Sequence, residues 1–132
     1  MSQENVAVVE EVIKAVARQD AARLVELTDP AVEWHSFLAQ VGEGVYRGHD
    51  GIRRYVSDLS EVLDVLRTEV DGVLVAGDVV VVVGRLRFRG KGSGVETEAP
   101  AGYVARLSGG RVAYMRAFRE PEQALLAVGV AE

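Results

Sequence analysis

AVEWHSFLAQVGEGVYRGHDGIRRY, running from Ala31 to Tyr55, decides the reading of this chain. It divides into a short apolar strand, Ala31 to Phe37, a glycine-marked loop, and a helix beginning near His49. It holds the only Trp, both His and two of the four Tyr of the protein. Aromatic residues with polar tips beside a glycine loop point to the wall of a small-molecule pocket.

Upstream, residues 2 to 19 have the spacing of an amphipathic helix. Val6, Val9, Val12, Ile13, Val16 and Ala17 recur at steps of three and four. Asp20 can cap a second short helix, Ala21 to Leu27, which Thr28-Asp29-Pro30 ends because a residue before Pro avoids the helical region. Downstream of the loop, Ile52, Tyr55, Val56, Leu59, Leu63 and Leu66 form a stripe that predicts a third helix from about His49 to Leu66. The remainder reads as strands: Glu69 to Ala76, Val79 to Arg89, Val95 to Leu107 and Arg111 to Arg119. The turns Gly77-Asp78, Gly90 to Gly94 and Ser108 to Gly110 separate them. A bulge is expected near Ala99-Pro100, since Pro cannot donate to a ladder. Pro121 suits the first turn of a closing helix.

This order predicts an α+β fold, a curved antiparallel sheet with helices on its concave face and a cone-shaped pocket between the layers. The 132 residues make one domain, 1–132, with 48% hydrophobic and 27% charged residues. A net charge of −5 gives no footing for nucleic-acid binding. No apolar run reaches the roughly 18 residues of a membrane span. The acidic start MSQENVAVVEE is unlike a signal peptide, and the absence of Cys excludes disulfides and fits a cytoplasmic location. Two His without close spacing argue against a metal, and no cofactor is expected.

The motifs RQDAARLVELTDP, VEWHSF, GVYRGHDGIRRYV and GGRVAYMRAFREPEQALLAVG, in that order, resemble the NTF2-like superfamily in its SnoaL-like branch. The resemblance covers nearly the whole chain and implies the fold with a cystatin-like sheet and a homodimer through its convex face. Members include ketosteroid isomerases, polyketide cyclases, epoxide hydrolases, dehydratases and non-catalytic binding modules, so fold does not choose the function. The isomerases' general-base aspartate ends a V-E-D motif, where this chain has Val32-Glu33-Trp34. Their second aspartate, in A-P-x-D, falls at Gly102 or Tyr103, and their helix-one tyrosine near Val12. With all three positions changed, steroid isomerisation is not expected. The cyclase and dehydratase branches place a His or Asp at the pocket, and here His35 is the candidate.

His35 therefore has two readings. It is a proton carrier, suited by an imidazole that titrates near neutral pH, or it is turned away by strand alternation if Trp34 points inward. Tyr103 is the candidate donor to a developing oxyanion. The pocket is expected to be lined by Trp34, Tyr46, Tyr55, Leu59, Val82, Phe88, Ala105, Met115 and Ala117, a wall suited to a small, flat hydrophobic molecule bearing one or two oxygens. His49 reads as a surface residue at a helix end. Arg85, Arg87 and Arg89 share one strand face and could bind an anion. In a regular hairpin, however, Arg89 faces Glu96 and Arg87 faces Glu98, an outer-face pairing that is the stronger reading. Val79, Val81 and Val83, with Tyr114, Arg116 and Phe118, are expected to form an exposed apolar patch on the convex face, where the dimer would form. Two function classes fit: an enzyme of the cyclase, dehydratase or isomerase kind, or a non-catalytic ligand-binding or dimeric interaction module.

Overall fold

A computed structural model of the chain describes residues 2–36 and 45–129. The expected end of the first strand at Phe37 and the glycines Gly42 and Gly44 lie outside the described residues. Two helices open the fold, α1 (Ser2–Arg18) and α2 (Ala21–Leu27). Asp20 caps α2, accepting a hydrogen bond from the Arg23 N–H at 3.1 Å. Next come β1 (Thr28–His35), a two-residue strand β2 (Tyr46–Arg47) and α3 (Gly48–Val62). The meander β3 (Leu63–Ala76), β4 (Val79–Gly90), β5 (Glu96–Ser108) and β6 (Arg111–Phe118) follows, and α4 (Pro121–Ala127) closes the fold.

The six strands form one sheet in the order β2-β1-β6-β5-β4-β3. The meander is antiparallel, as its short turns require, but β1 runs parallel to β6, so the sheet is mixed. The first strand begins earlier than expected, at Thr28, and its pairing with β6 shifts between Thr28 and Glu33. Pro30 lies in that interval, where a residue without an N–H costs no ladder bond. Tyr46 and Arg47, read as loop, pair with Trp34 and Glu33.

The third helix is shorter than its apolar stripe predicts. Leu63 is extended and caps the helix, its N–H reaching the Leu59 carbonyl. Residues 63–68 pair instead with the end of β4, Leu66 with Phe88 and Thr68 with Leu86. The long β4 leaves a row of backbone groups to satisfy, and the ladder it offers overrides the helical spacing. Leu63 and Leu66 still pack on the core from the strand.

The main core lies between α1, α2 and α3 and one sheet face, with Val9, Val12, Leu24, Val32, Ile52 and Leu59 at 2% exposure or less. Curvature is built in at Gly84. A Cβ there would run into the Glu69 carbonyl, and the β3 register shifts between Val70 and Gly72, across from Gly84 and Val83. The bulge expected near Pro100 is absent from the β4–β5 ladder, where Pro100 pairs with Arg85. The β5–β6 pairing reaches only as far as Gly102, so the missing donor of Pro100 faces no partner strand. The β5 irregularity falls at Arg106–Leu107 instead.

Not all helices lie on the concave side. The convex face is covered over β4, β5 and β6 by α4, which forms a second core of Val81, Val104 and Ala124, flanked by Val79, Val83, Phe118, Leu125 and Val128. Val81 is 1% exposed, so the expected open valine patch does not exist. Gly102 permits this approach, since a Cβ there would lie 2.8 Å from the Ala124 Cβ.

Candidate functional site

A cavity of about 550 Å³ opens between the helices and the concave face of the sheet. Seven elements contribute to its walls. Helix α1 gives Val9, Val12, Ile13 and Val16, and α3 gives Tyr55, Leu59 and Val62. Strand β3 adds Leu63, Leu66 and Thr68, and Leu86, Phe88, Ala99, Pro100, Tyr103, Met115 and Ala117 complete the sheet side. Trp34, His35, Ser36 and Arg119 stand at the ends of β1 and β6. Among the described residues no Asp or Glu lines it.

Its polar chemistry is carried by neutral groups. Trp34 and Tyr55 are buried, their ring centres 5.2 Å apart. Tyr46 packs edge-on against Tyr55 at 5.5 Å from behind, and its own hydroxyl donates to Asp58 Oδ2 at 2.7 Å. On the sheet side, the Tyr103 hydroxyl lies 3.1 Å from Thr68 Oγ1. Burial pushes the Tyr55 phenol far above the usual tyrosine range, and the nearby Tyr103 phenol adds to that. The Tyr103 phenol is raised as well, again by burial, with its Thr68 hydrogen bond acting the other way. Both therefore stay protonated as hydrogen-bond donors, since ionising either would place a charge in an apolar surrounding.

The register decides His35. Glu33, Trp34 and His35 stand beside Tyr114, Met115 and Arg116. Trp34 and Met115 share the concave face, which turns Glu33, His35 and Tyr114 outward. His35 contributes to the cavity edge, but its imidazole does not turn inward. Nε2 lies 2.7 Å from Glu33 Oε2, and the ring packs 5.2 Å from that of Tyr114. Glu33 also accepts from Arg47 at 3.1 Å, and its carboxyl is held below the ordinary glutamate value, first by the His35 hydrogen bond. His35 thus stands at the cavity edge with its ring engaged by Glu33 and Tyr114.

Of the expected lining residues, Trp34, Tyr55, Leu59, Phe88, Tyr103, Met115 and Ala117 meet at the cavity. Tyr46, Val82 and Ala105 are buried in the core beside it and do not line it. The α1 valines and Ile13 went unassigned to the pocket because their spacing signals only a buried face. Thr68 and Arg119 carried no motif. His49 is not a surface residue: it is half-buried, with Nε2 2.9 Å from the Thr28 carbonyl, tying α3 to the start of β1. The arginine stripe pairs outward as the hairpin predicts. Arg87 stands opposite Glu98 and Arg89 opposite Glu96. Arg85 and Arg87 reach Glu69 at 3.1 and 3.4 Å, and Arg87 meets Glu98 at 3.2 Å.

A cone of helices against a curved, open mixed sheet, with a pocket inside it, defines an NTF2-like α+β protein. The model of the SnoaL-like domain matches residues 9–115, and the chain belongs to that family. Solved structures agree. An NTF2-like protein of unknown function from Burkholderia pseudomallei K96243 is 19% identical, with 96% of this chain and 98% of that one covered and a TM-score of 0.79. A candidate SnoaL-like polyketide cyclase from Jannaschia sp. CCS1 is 25% identical over 98% of this chain and 92% of that one, with a TM-score of 0.76. An NTF2-like protein from Burkholderia thailandensis E264 is 27% identical over 96% and 95%, with a TM-score of 0.74. No curated protein matches the chain.

Proposed function

We propose that this protein binds a flat, apolar small molecule carrying one or two oxygens, held in the cone with an oxygen at the phenols. The observation that carries this reading is the wall itself: apolar side chains from helices and sheet around neutral donors, with no carboxylate among the described lining residues. Apolar area supplies affinity, and a few placed donors supply orientation. Tyr103 and Tyr55 are the donors assigned to the ligand oxygen, and Trp34 and Phe88 the flat surfaces it stacks on. Calorimetric titration with acetylnaphthalene and with ethylnaphthalene tests this. The ketone should bind more tightly in the native protein, and Tyr103→Phe should remove the preference. Equal binding of the two by the native protein would contradict the donor assignment.

A second reading is favoured by one observation, two phenols set in an apolar cavity, where burial raises both above the usual tyrosine value. A phenol kept neutral in an apolar cavity can stabilise charge developing on a carbonyl oxygen, as cyclisation, dehydration or isomerisation of an oxygenated substrate requires. In this reading Tyr103 and Tyr55 act as electrophilic donors, and His35 has no part in the step. A homodimer through the part of the convex face that α4 leaves open, around His35, Tyr114 and Arg116, is the assembly we propose.

A further inference from the structure

Among the described residues lining the cavity, Arg119 is the one cationic side chain with a fixed charge. Its position follows from the strand phase: Met115 and Ala117 face the cavity from β6, and Arg119, two residues further, continues that face just past the end of the strand. It is exposed, at the mouth rather than the floor. Five of the other arginines are matched with carboxylates among the described residues, and Arg54, Arg106 and Arg116 lie over aromatic rings. Arg23 meets Glu26, Arg47 meets Glu33 and Arg53 meets Asp50, while Arg85 and Arg87 share Glu69 and Glu98. Arg119 has no ion-pair or hydrogen-bond partner among the described residues. A guanidinium carries five donors in a planar fork and matches a carboxylate edge-on.

We propose that Arg119 selects an acidic ligand: an apolar ring system that enters the cone and leaves one carboxylate at the mouth, against the guanidinium. This inference rests on the cavity being the binding site and adds the charge and polarity of the ligand. The charge distribution makes the selection local. With a net charge of −5 the protein as a whole repels anions, and deeper in the cavity the described polar groups are neutral and set in apolar walls. An anionic group is therefore stable only at the rim, which fixes the direction in which the ligand enters. Its opposite, oxygen-bearing end then reaches Tyr55 and Tyr103.

The test is calorimetric titration of the full chain with naphthoate and with its methyl ester, probes of the same ring system that differ in charge. The native protein should bind naphthoate more tightly than the ester. Arg119→Met should weaken naphthoate by about tenfold or more, the worth of one charge-assisted hydrogen bond, and leave the ester unchanged. Arg111→Ala, which removes the same charge from an exposed site at the opposite end of β6, should leave both unchanged. Equal affinity for acid and ester, untouched by Arg119→Met, would overturn the proposal and leave the cavity reading standing. Equal losses in Arg119→Met and Arg111→Ala would also overturn it, by reducing the effect to net charge. Failure of both probes to bind would remove the cavity reading and this inference together.

Discussion

The two faces of one sheet divide the chemistry of this protein between them. On β4 the residues alternate, with Leu86 and Phe88 at the cavity and Arg85 and Arg87 outside. On β6 Met115 and Ala117 look inward while Tyr114 and Arg116 look outward. On the convex side Arg85 and Arg87 pair with Glu69, Asp71 and Glu98, and His35 and Arg47 share Glu33. The concave side holds neutral donors in an apolar wall. A charge is cheap where water and a counter-charge are near, and costly where neither is. The comparison teaches that acid–base candidates in this fold have to be assigned by face, because neighbours in sequence such as Trp34 and His35 belong to different environments.

The largest effect should come from breaking that division. Met115→Asp places a carboxylate on the cavity face with no partner. Urea unfolding at pH 8 should report a loss of about 3–5 kcal/mol, as for an uncompensated buried charge. Gly84→Ala sharpens the comparison by attacking the bend that creates a concave side. The added Cβ meets the Glu69 carbonyl, a backbone atom that cannot swing aside, and a loss of about 1–3 kcal/mol is expected from the same measurement.

The titration of the two faces should differ in direction. Tyr55 and Tyr103 have folded-state values above the ordinary tyrosine value of 10.0. A raised value means the stabilisation is fully present below about pH 10 and is lost as pH rises through the folded values. In an ultraviolet pH titration these phenols should ionise only together with alkaline unfolding, and Tyr55→Phe should reduce that late step. Glu33 behaves oppositely. Its value is depressed from 4.5, so its contribution is present above that pH and fades as pH falls through the folded value. Glu33→Gln should flatten the acid limb of the stability curve and leave the alkaline limb alone. The smallest effect belongs to the exposed arginine ladder. Arg87→Ala should lower the melting temperature slightly at low salt and not at all near 1 M salt, where the screening length is about 3 Å.

Much of this arrangement was legible from residue order. The β4–β5 pairing followed from period-two alternation around a turn of five residues, and Trp34, Tyr55, Phe88, Met115 and Ala117 followed from the same phase. What was not legible depended on tertiary choice. Leu63 and Leu66 continue the helical spacing of α3, yet the free end of β4 captures them as strand. Leu125 and Val128 mark an apolar face of α4 without saying which side of the sheet it covers, and Val81 is buried by that choice. Val9 and Val12 announce burial equally well whether they meet core or cavity. Arg119 differs from any surface arginine only through the strand phase and the mouth beside it.

The central claim is that the cone takes up a flat, oxygen-bearing apolar molecule. Trp34 is the only tryptophan and lines the cavity, so its emission reports occupancy directly. Titration with naphthoquinone should quench that emission saturably in the native protein. Ala117→Phe, which fills the cavity from the sheet side, should abolish the saturable quenching while the circular dichroism of the fold is kept. Quenching that never saturates, or that is the same in Ala117→Phe, would contradict the account.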